Sequence, residues 1–385
     1  MLAAFFLVSS QGRAATHGIQ RFVHPGLLHT SGDFRRIQSH VAKGDQPWVA
    51  GWQKLLGNRH AALNWKPNPK EIVYRGADHR HPENYSALFN DAAAAYALAL
   101  RWKVSGDNAY AESAVNILDA WSSTLTSIEG TSDKFLASGI YGYELANAGE
   151  IMRDYRPWSG AKFGRFQQMM LTVFYPMNHD FLVRHNGAKI DHYWANWDLA
   201  NMDSMLAIGV LTDRPDVYQE ATNYFRHGAG NGSIDHLVWK IYEGGIGQVQ
   251  ESGRDQGHAM LVIALVGAFC QMAWSQGDDL FGYEDNRVLR GAEYVAQYNL
   301  GHDVPYTSYT NSDVTQPIIS DHARGNVRPI WELIYNHYVV LKHLSAPGVE
   351  AFARQVRPEG GGGDYGPNSG GFDQLGYGTL TFNLK

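Results

Sequence analysis

Apolar positions recur along most of this chain with a helical period. Over Tyr85–Lys103 they fall on nearly every side, from Ala92 to Leu100. A helix that is apolar all round is buried. After a turn at Gly106-Asp107, Tyr110–Leu125 places Ala111, Ala114, Val115, Leu118 and Trp121 at helical spacing on one face. The alternation then repeats. Helices are predicted over Asp33–Lys43, Phe135–Tyr155, Gly160–Asn178, Asn196–Leu211, Asp216–His227, His258–Gln276, Asn286–Leu300, Pro329–His343 and Gly348–Gln355. Short turns such as Leu211-Thr212-Asp213 and Gln276-Gly277-Asp278 join a very apolar helix to a more amphipathic one. Strand signals are thin. Repeated hairpins of an inner and an outer helix predict an all-α fold, an α/α toroid of about six or seven hairpins.

Four long polar loops precede apolar helices: Trp65–Asn84, Lys189–Asn196, Gly228–Asp255 and Gly301–Val327. In a toroid such loops share one face, so they are expected to meet in one cleft. The Gly-rich tail, Gly360–Lys385, carries spaced aromatics and an alternating Thr379-Leu380-Thr381-Phe382, which predicts a packed tail with a short strand and no catalytic role. The apolar start of the chain, followed by small residues through Ala14-Ala15, predicts a secretory leader over residues 1–15 and an extracellular protein, with residues 16–385 as a single domain. No later stretch is expected to reach the ~18 apolar residues that span a bilayer.

Composition narrows the chemistry. The 44% hydrophobic and 18% charged residues describe a globular chain, and its 11 Trp and 21 Tyr supply rings for core packing or for stacking on sugars. A net charge of −6 gives no general surface for nucleic acid, so an anionic partner has to be met by local Arg, His and Asn groups. The single cysteine, Cys270, lies in an apolar run, which excludes a disulfide framework. His79 and His81 form an HxH pair without a third ligand, too little for a metal site. No metal or organic cofactor, no membrane contact and a monomeric state are expected.

Three stretches carry candidate chemistry. Gln250-Glu251-Ser252-Gly253-Arg254-Asp255-Gln256-Gly257-His258 places acid, cation and imidazole at the mouth of an apolar helix. Charged residues are seldom buried unless paired, so this is either a lined pocket or a capping and salt-bridge cluster. Tyr193, Trp194 and Trp197 flank Asn196, which is placed to cap a helix and also to hold a sugar carboxylate. Arg328 and Tyr335 lie seven apart, which places them on the same helix face, two turns from each other. His81, Asn84 and Tyr306 in the long loops complete the candidate binding residues.

The motifs Asn196-Trp197, Gln250-Glu251-x-x-Arg254-Asp255-x-x-His258 and Tyr335-Asn336, with Gly363–Asn368, resemble polysaccharide lyase family 38, within the wider group of chondroitin AC/alginate lyase-like toroids. The resemblance implies a lyase on glucuronan or alginate. Related toroid lyases carry a Tyr nine residues after the catalytic His; here that position is Gly267, so the tyrosine comes from elsewhere: Tyr335, Tyr306 or Tyr309. Such β-elimination needs donors on the uronate carboxylate, where charge grows as the C5 proton leaves. Asn196 and His258 suit that task; Tyr335 aided by Arg328 suits proton transfer, and Glu251 and Arg254 suit substrate binding. The competing enzyme is a glycoside hydrolase with two carboxyls about 5.5 Å or about 6.5–9.5 Å apart, drawn from Glu251, Asp255, Asp198, Asp91 and Glu83. A non-catalytic glycan-binding module is the third reading.

Overall fold

The structure is a computed structural model and describes residues 21–360 and 373–385. The expected leader and the Gly363–Asn368 motif lie outside these residues. The helices are α1 Ser31–Lys43, α2 Trp48–Leu56, α3 Ser86–Ser105, α4 Asn108–Thr124, α5 Lys134–Met152, α6 Ala161–Met169, α7 Tyr175–Arg184 and α8 Ala195–Leu211. They continue with α9 Pro215–His227, α10 Ile234–Leu237, α11 Gln256–Ser275, α12 Tyr283–Asn299, α13 Trp331–Tyr335, α14 Pro347–Val356 and α15 Gly378–Thr381.

The inner helices pack in the order α1, α3, α5, α8, α11, α13, and α4, α9, α12 and α14 stand outside as their hairpin partners. The ring closes through the C-terminal segment, because α15 packs on α13 on one side and on α1 and α2 on the other. This is the expected toroid. It differs at the tail, where Gly378–Thr381 is a helical turn and not a strand. Helices α5 and α8 are buried along their whole length. The tightest crossing is α5 on α8. A Cβ on Gly139 would sit 2.7 Å from the Ala200 backbone, and one on Gly142 would sit 2.2 Å from the Ser204 hydroxyl, so only glycine allows this approach.

Helix α11 corrects one expectation. It is long and apolar enough to cross a membrane, yet most of it is buried inside the ring, as a core helix would be. Two predicted helices are also interrupted. The one over Gly160–Asn178 carries a π-helical turn at Met170–Phe174. The one over Pro329–His343 begins only at Trp331 and passes into a π turn over Asn336–Leu341.

The loops entering the inner helices are tied to one another, which fixes them on one face. Strand β1 (Ile72–Arg75) pairs in parallel with β2 (Ser127–Gly130), linking the loops before α3 and α5. Gln250 and Glu251 accept from the amides of Ala195 and Asn196, linking those before α8 and α11. Gln256 N–H donates to the His322 carbonyl at 2.9 Å, joining the loop before α13. The antiparallel pairs β3/β4 (Lys240–Ile241, Gly247–Gln248) and β5/β6 (Tyr309–Thr310, Thr315–Gln316) stiffen the two longest loops.

Candidate active site

The site begins with a buried carboxylate. Glu251 is fully enclosed, and its Oε1 accepts the Asn196 backbone N–H at 2.9 Å. Gln250 Oε1 accepts the Ala195 N–H at 3.1 Å. Two free amides in the first turn of α8 are thus capped from another loop. The N-cap position is Trp194, with no side-chain cap. Asn196 therefore does not cap α8, contrary to the sequence expectation, and its side chain is released from that task. Glu251 Oε2 in turn accepts from Arg254 Nη1 at 2.9 Å. That guanidinium also reaches Asn196 Oδ1 at 3.5 Å and lies 4.9 Å from the centre of the Trp194 ring. With its oxygen turned to Arg254, the Asn196 amide has its NH₂ end to offer a ligand.

Asp255 is the N-cap of α11: its Oδ1 accepts the His258 N–H at 2.8 Å, and its Oδ2 meets His258 Nδ1 at 2.6 Å. Burial pushes the Asp255 carboxyl up, but the hydrogen bonds from His258 outweigh it and hold the group down at about 2. The capping reading is therefore correct for Asp255. His258 stays 37% exposed, and with Nδ1 engaged its Nε2 is the nitrogen available to a ligand. Tyr306 closes this region. A Cβ on Gly253 would lie 2.3 Å from its hydroxyl, which donates to the Gln316 carbonyl at 2.9 Å, and burial pushes that hydroxyl to about 12.

A second group backs the first. Arg328 is buried, donates to Gln374 Oε1 at 2.7 Å and lies 3.7 Å from Asp373 Oδ2. Burial pushes the Asp373 carboxyl up; Arg328, Arg75 and His258 pull against that. Arg75, at the end of β1, donates to the Tyr141 hydroxyl at 3.1 Å and stands over the Tyr85 ring at 5.0 Å. Arg75 comes from the long polar loop Trp65–Asn84. Asp373 and Gln374 carry no sequence signal, being isolated polar residues in the Gly-rich tail.

Several expected residues lie elsewhere. Arg328 precedes α13, so it does not share a helix face with Tyr335. Tyr335 sits beneath Arg357, 5.8 Å from its ring centre, and Arg357 pairs with Glu332 on the side held by the C-terminal segment. The structure does not bring Tyr335 to Asn196, Arg254 and His258. Tyr193 and Trp197 are core rings packed on each other and on Phe181. Asn84 is consumed in bonds to Tyr74 N–H and the Ile72 carbonyl. His81 is exposed, stacked on Tyr74 at 4.3 Å and bonded to Asp78. Trp194, Glu251, Arg254 and Tyr306 do converge with Asn196 and His258.

The carboxyls a hydrolase would need are already engaged. Asp91 accepts from both Trp65 and Trp121 and from Asn68 N–H. Asp198 is bound by His185, Tyr224 and Gly232 N–H, and Glu83 by Gly76 N–H. Glu251 and Asp255 hold the knot just described.

The loop face of the toroid gathers hydrogen-bond donors, an imidazole and a tyrosine. Solved structures share the ring. An alginate lyase from Bacteroides ovatus superposes with a TM-score of 0.62 at 13% identity, covering 94% of this chain and 100% of that one. Alginate lyase A1-III from Sphingomonas species A1 gives 0.60 at 14% identity, covering 92% and 95%. An A1-III variant complexed with tetrasaccharide gives 0.60 at 14%, covering 96% and 97%. No curated protein sequence matches. The alginate lyase family model matches residues 53–304, more than half of the sequence. The chain belongs to the alginate lyase family and is a polysaccharide lyase, the class its motifs resembled.

Proposed function

We propose that the enzyme cleaves a 1,4-linked polyuronate, alginate or glucuronan, by β-elimination that leaves 4,5-unsaturated uronate ends. The observation that carries this reading is the knot at the start of α8. One buried carboxylate, Glu251, holds both the Asn196 backbone and the Arg254 guanidinium, which reaches the Asn196 amide and lies over Trp194. Their amide and guanidinium donors suit the two oxygens of a uronate carboxylate, and neutralising that group acidifies C5. We assign the reacting groups beside this clamp to His258 Nε2 and to the Tyr306 hydroxyl, which lies next to Gly253. Where the C5 proton and the leaving oxygen share a face, as in mannuronate or glucuronate, Tyr306 takes the proton and returns one to the C4 oxygen. Its high pKa must fall as substrate binds, with Arg254 nearby to favour the phenolate. Where they lie on opposite faces, as in guluronate, His258 is the separate base. The alginate lyase names of the structural neighbours, one complexed with tetrasaccharide, favour alginate. We propose export for the same reason, since a polymeric substrate lies outside the cell.

The test uses polymannuronate, polyguluronate and glucuronan separately, following the ultraviolet absorbance of the unsaturated product. At least one should yield it, and Asn196→Ala should abolish most of that yield while still folding. New reducing ends without absorbance would assign hydrolysis; no product from any of them would reject an enzyme of this specificity.

A further inference from the structure

A second opening lies on the same loop face, a cavity of about 680 Å³ lined by Lys189, Asp191, His236, Trp239 and Tyr309 among others. It is built from the loops before α8, α11 and α13, the same three that assemble the active site. Tyr309 stands between the two. Its hydroxyl donates to Asn231 Oδ1 at 3.2 Å, and Asn231 Nδ2 donates to the Tyr193 carbonyl at 2.7 Å, three residues from Asn196. On the cavity side the Tyr309 ring meets the Trp239 indole edge-on, with centroids 5.5 Å apart. The indole is half-buried, and its Nε1 has no hydrogen-bond partner. Lys189 and His236 are exposed on the rim, and His236 Nδ1 is engaged by the Ser233 hydroxyl at 2.7 Å, leaving Nε2 for a ligand. The carboxylate in the lining, Asp191, is turned to the protein, its Oδ2 accepting the Ser312 N–H at 2.9 Å.

An aromatic plate held rigid by a second ring, with an ammonium and an imidazole at its edge, suits an acidic pyranose: the ring stacks its C–H face, and the Lys189 ammonium and the His236 Nε2 meet its carboxylate. We propose that this cavity is a distal subsite that binds a further uronate residue of the chain being cut, so that Trp239 and Lys189 make the enzyme prefer long substrates. The inference rests on the lyase reading above.

The experiment compares kcat/KM on the polymer with kcat/KM on the shortest oligosaccharide that wild type cleaves. In Trp239→Ala the polymer value should fall about tenfold, the worth of one good aromatic contact, with the short-substrate value unchanged. Lys189→Gln, an exposed change that does not threaten folding, should lower the same ratio severalfold and weaken its dependence on salt. A ratio equal to wild type in both variants overturns the subsite and leaves the lyase reading standing. A wild type that forms no unsaturated product from any uronan overturns the lyase reading and this inference with it.

Discussion

Two histidine–aspartate pairs border the first turns of inner helices, Asp255–His258 at α11 and His185–Asp198 at α8. In the first, Nδ1 meets Asp255 Oδ2 at 2.6 Å and the ring is 37% exposed; in the second, Nε2 meets Asp198 Oδ1 at 3.1 Å and the two side chains are 2% and 1% exposed. The buried pair also takes the Tyr224 hydroxyl and the Gly232 N–H, so it pins the loop after α9 to α8. Residue types alone make both pairs look catalytic. What separates them is solvent access.

The largest effect expected from breaking this contrast is at His258. His258→Ala should lower turnover by ~10²–10⁴-fold with the melting curve little changed, because a positioned acid–base group is removed from an accessible site. Normal turnover in the folded variant would end its assignment. Asp198→Ala should do the reverse. Removing one partner of a buried pair costs about 3–5 kcal/mol, so chemical denaturation should show a large loss while activity per folded molecule persists well below the melting temperature. A catalytic Asp198 would instead lose turnover at wild-type stability.

A smaller effect concerns pH. The Asp255 carboxyl is held at about 2, below its ordinary 3.8. A depressed acid stabilises the fold above its unfolded pKa and loses that contribution as pH falls through the folded value, here between about 4 and about 2. The contribution is about 2 kcal/mol. Melts across this window should drop more steeply in wild type than in Asp255→Asn; parallel curves would show that His258 does not hold the carboxyl. The smallest effect is expected at Tyr335. Tyr335→Phe should leave turnover near wild type, and Tyr306→Phe should lose most of it on mannuronate or glucuronate chains. The opposite result would return the proton transfer to α13.

Much of the fold was legible in the residue pattern, and less of the site. Helices α3 and α11 announced themselves because burial on every side favours apolar residues all round, a local signal that Ala92–Leu100 and Ala259–Cys270 both carry. The four long loops before such helices fixed one functional face, and Asp255-x-x-His258 carried its own cap. Asn196 shows where local reading fails. It looked like a cap because caps are read within one turn, yet its helix is capped by Gln250 and Glu251 from some 55 residues away. The spacing of Arg328 and Tyr335 implied a shared face, but the helix begins only after Arg328.

The sequence by itself determined the succession of buried and amphipathic helices, the side on which the long loops gather, and the presence of a charged cluster at the mouth of α11. These follow from short-range periodicity. The tertiary structure alone decided which polar groups are consumed and which stay available: Glu251 and Asp198 inward, Arg254 and His258 outward, and Asp373 and Gln374 carried in from the C-terminal segment to hold Arg328. Those outcomes depend on hydrogen bonds between loops far apart in the chain, formed only once the ring has closed.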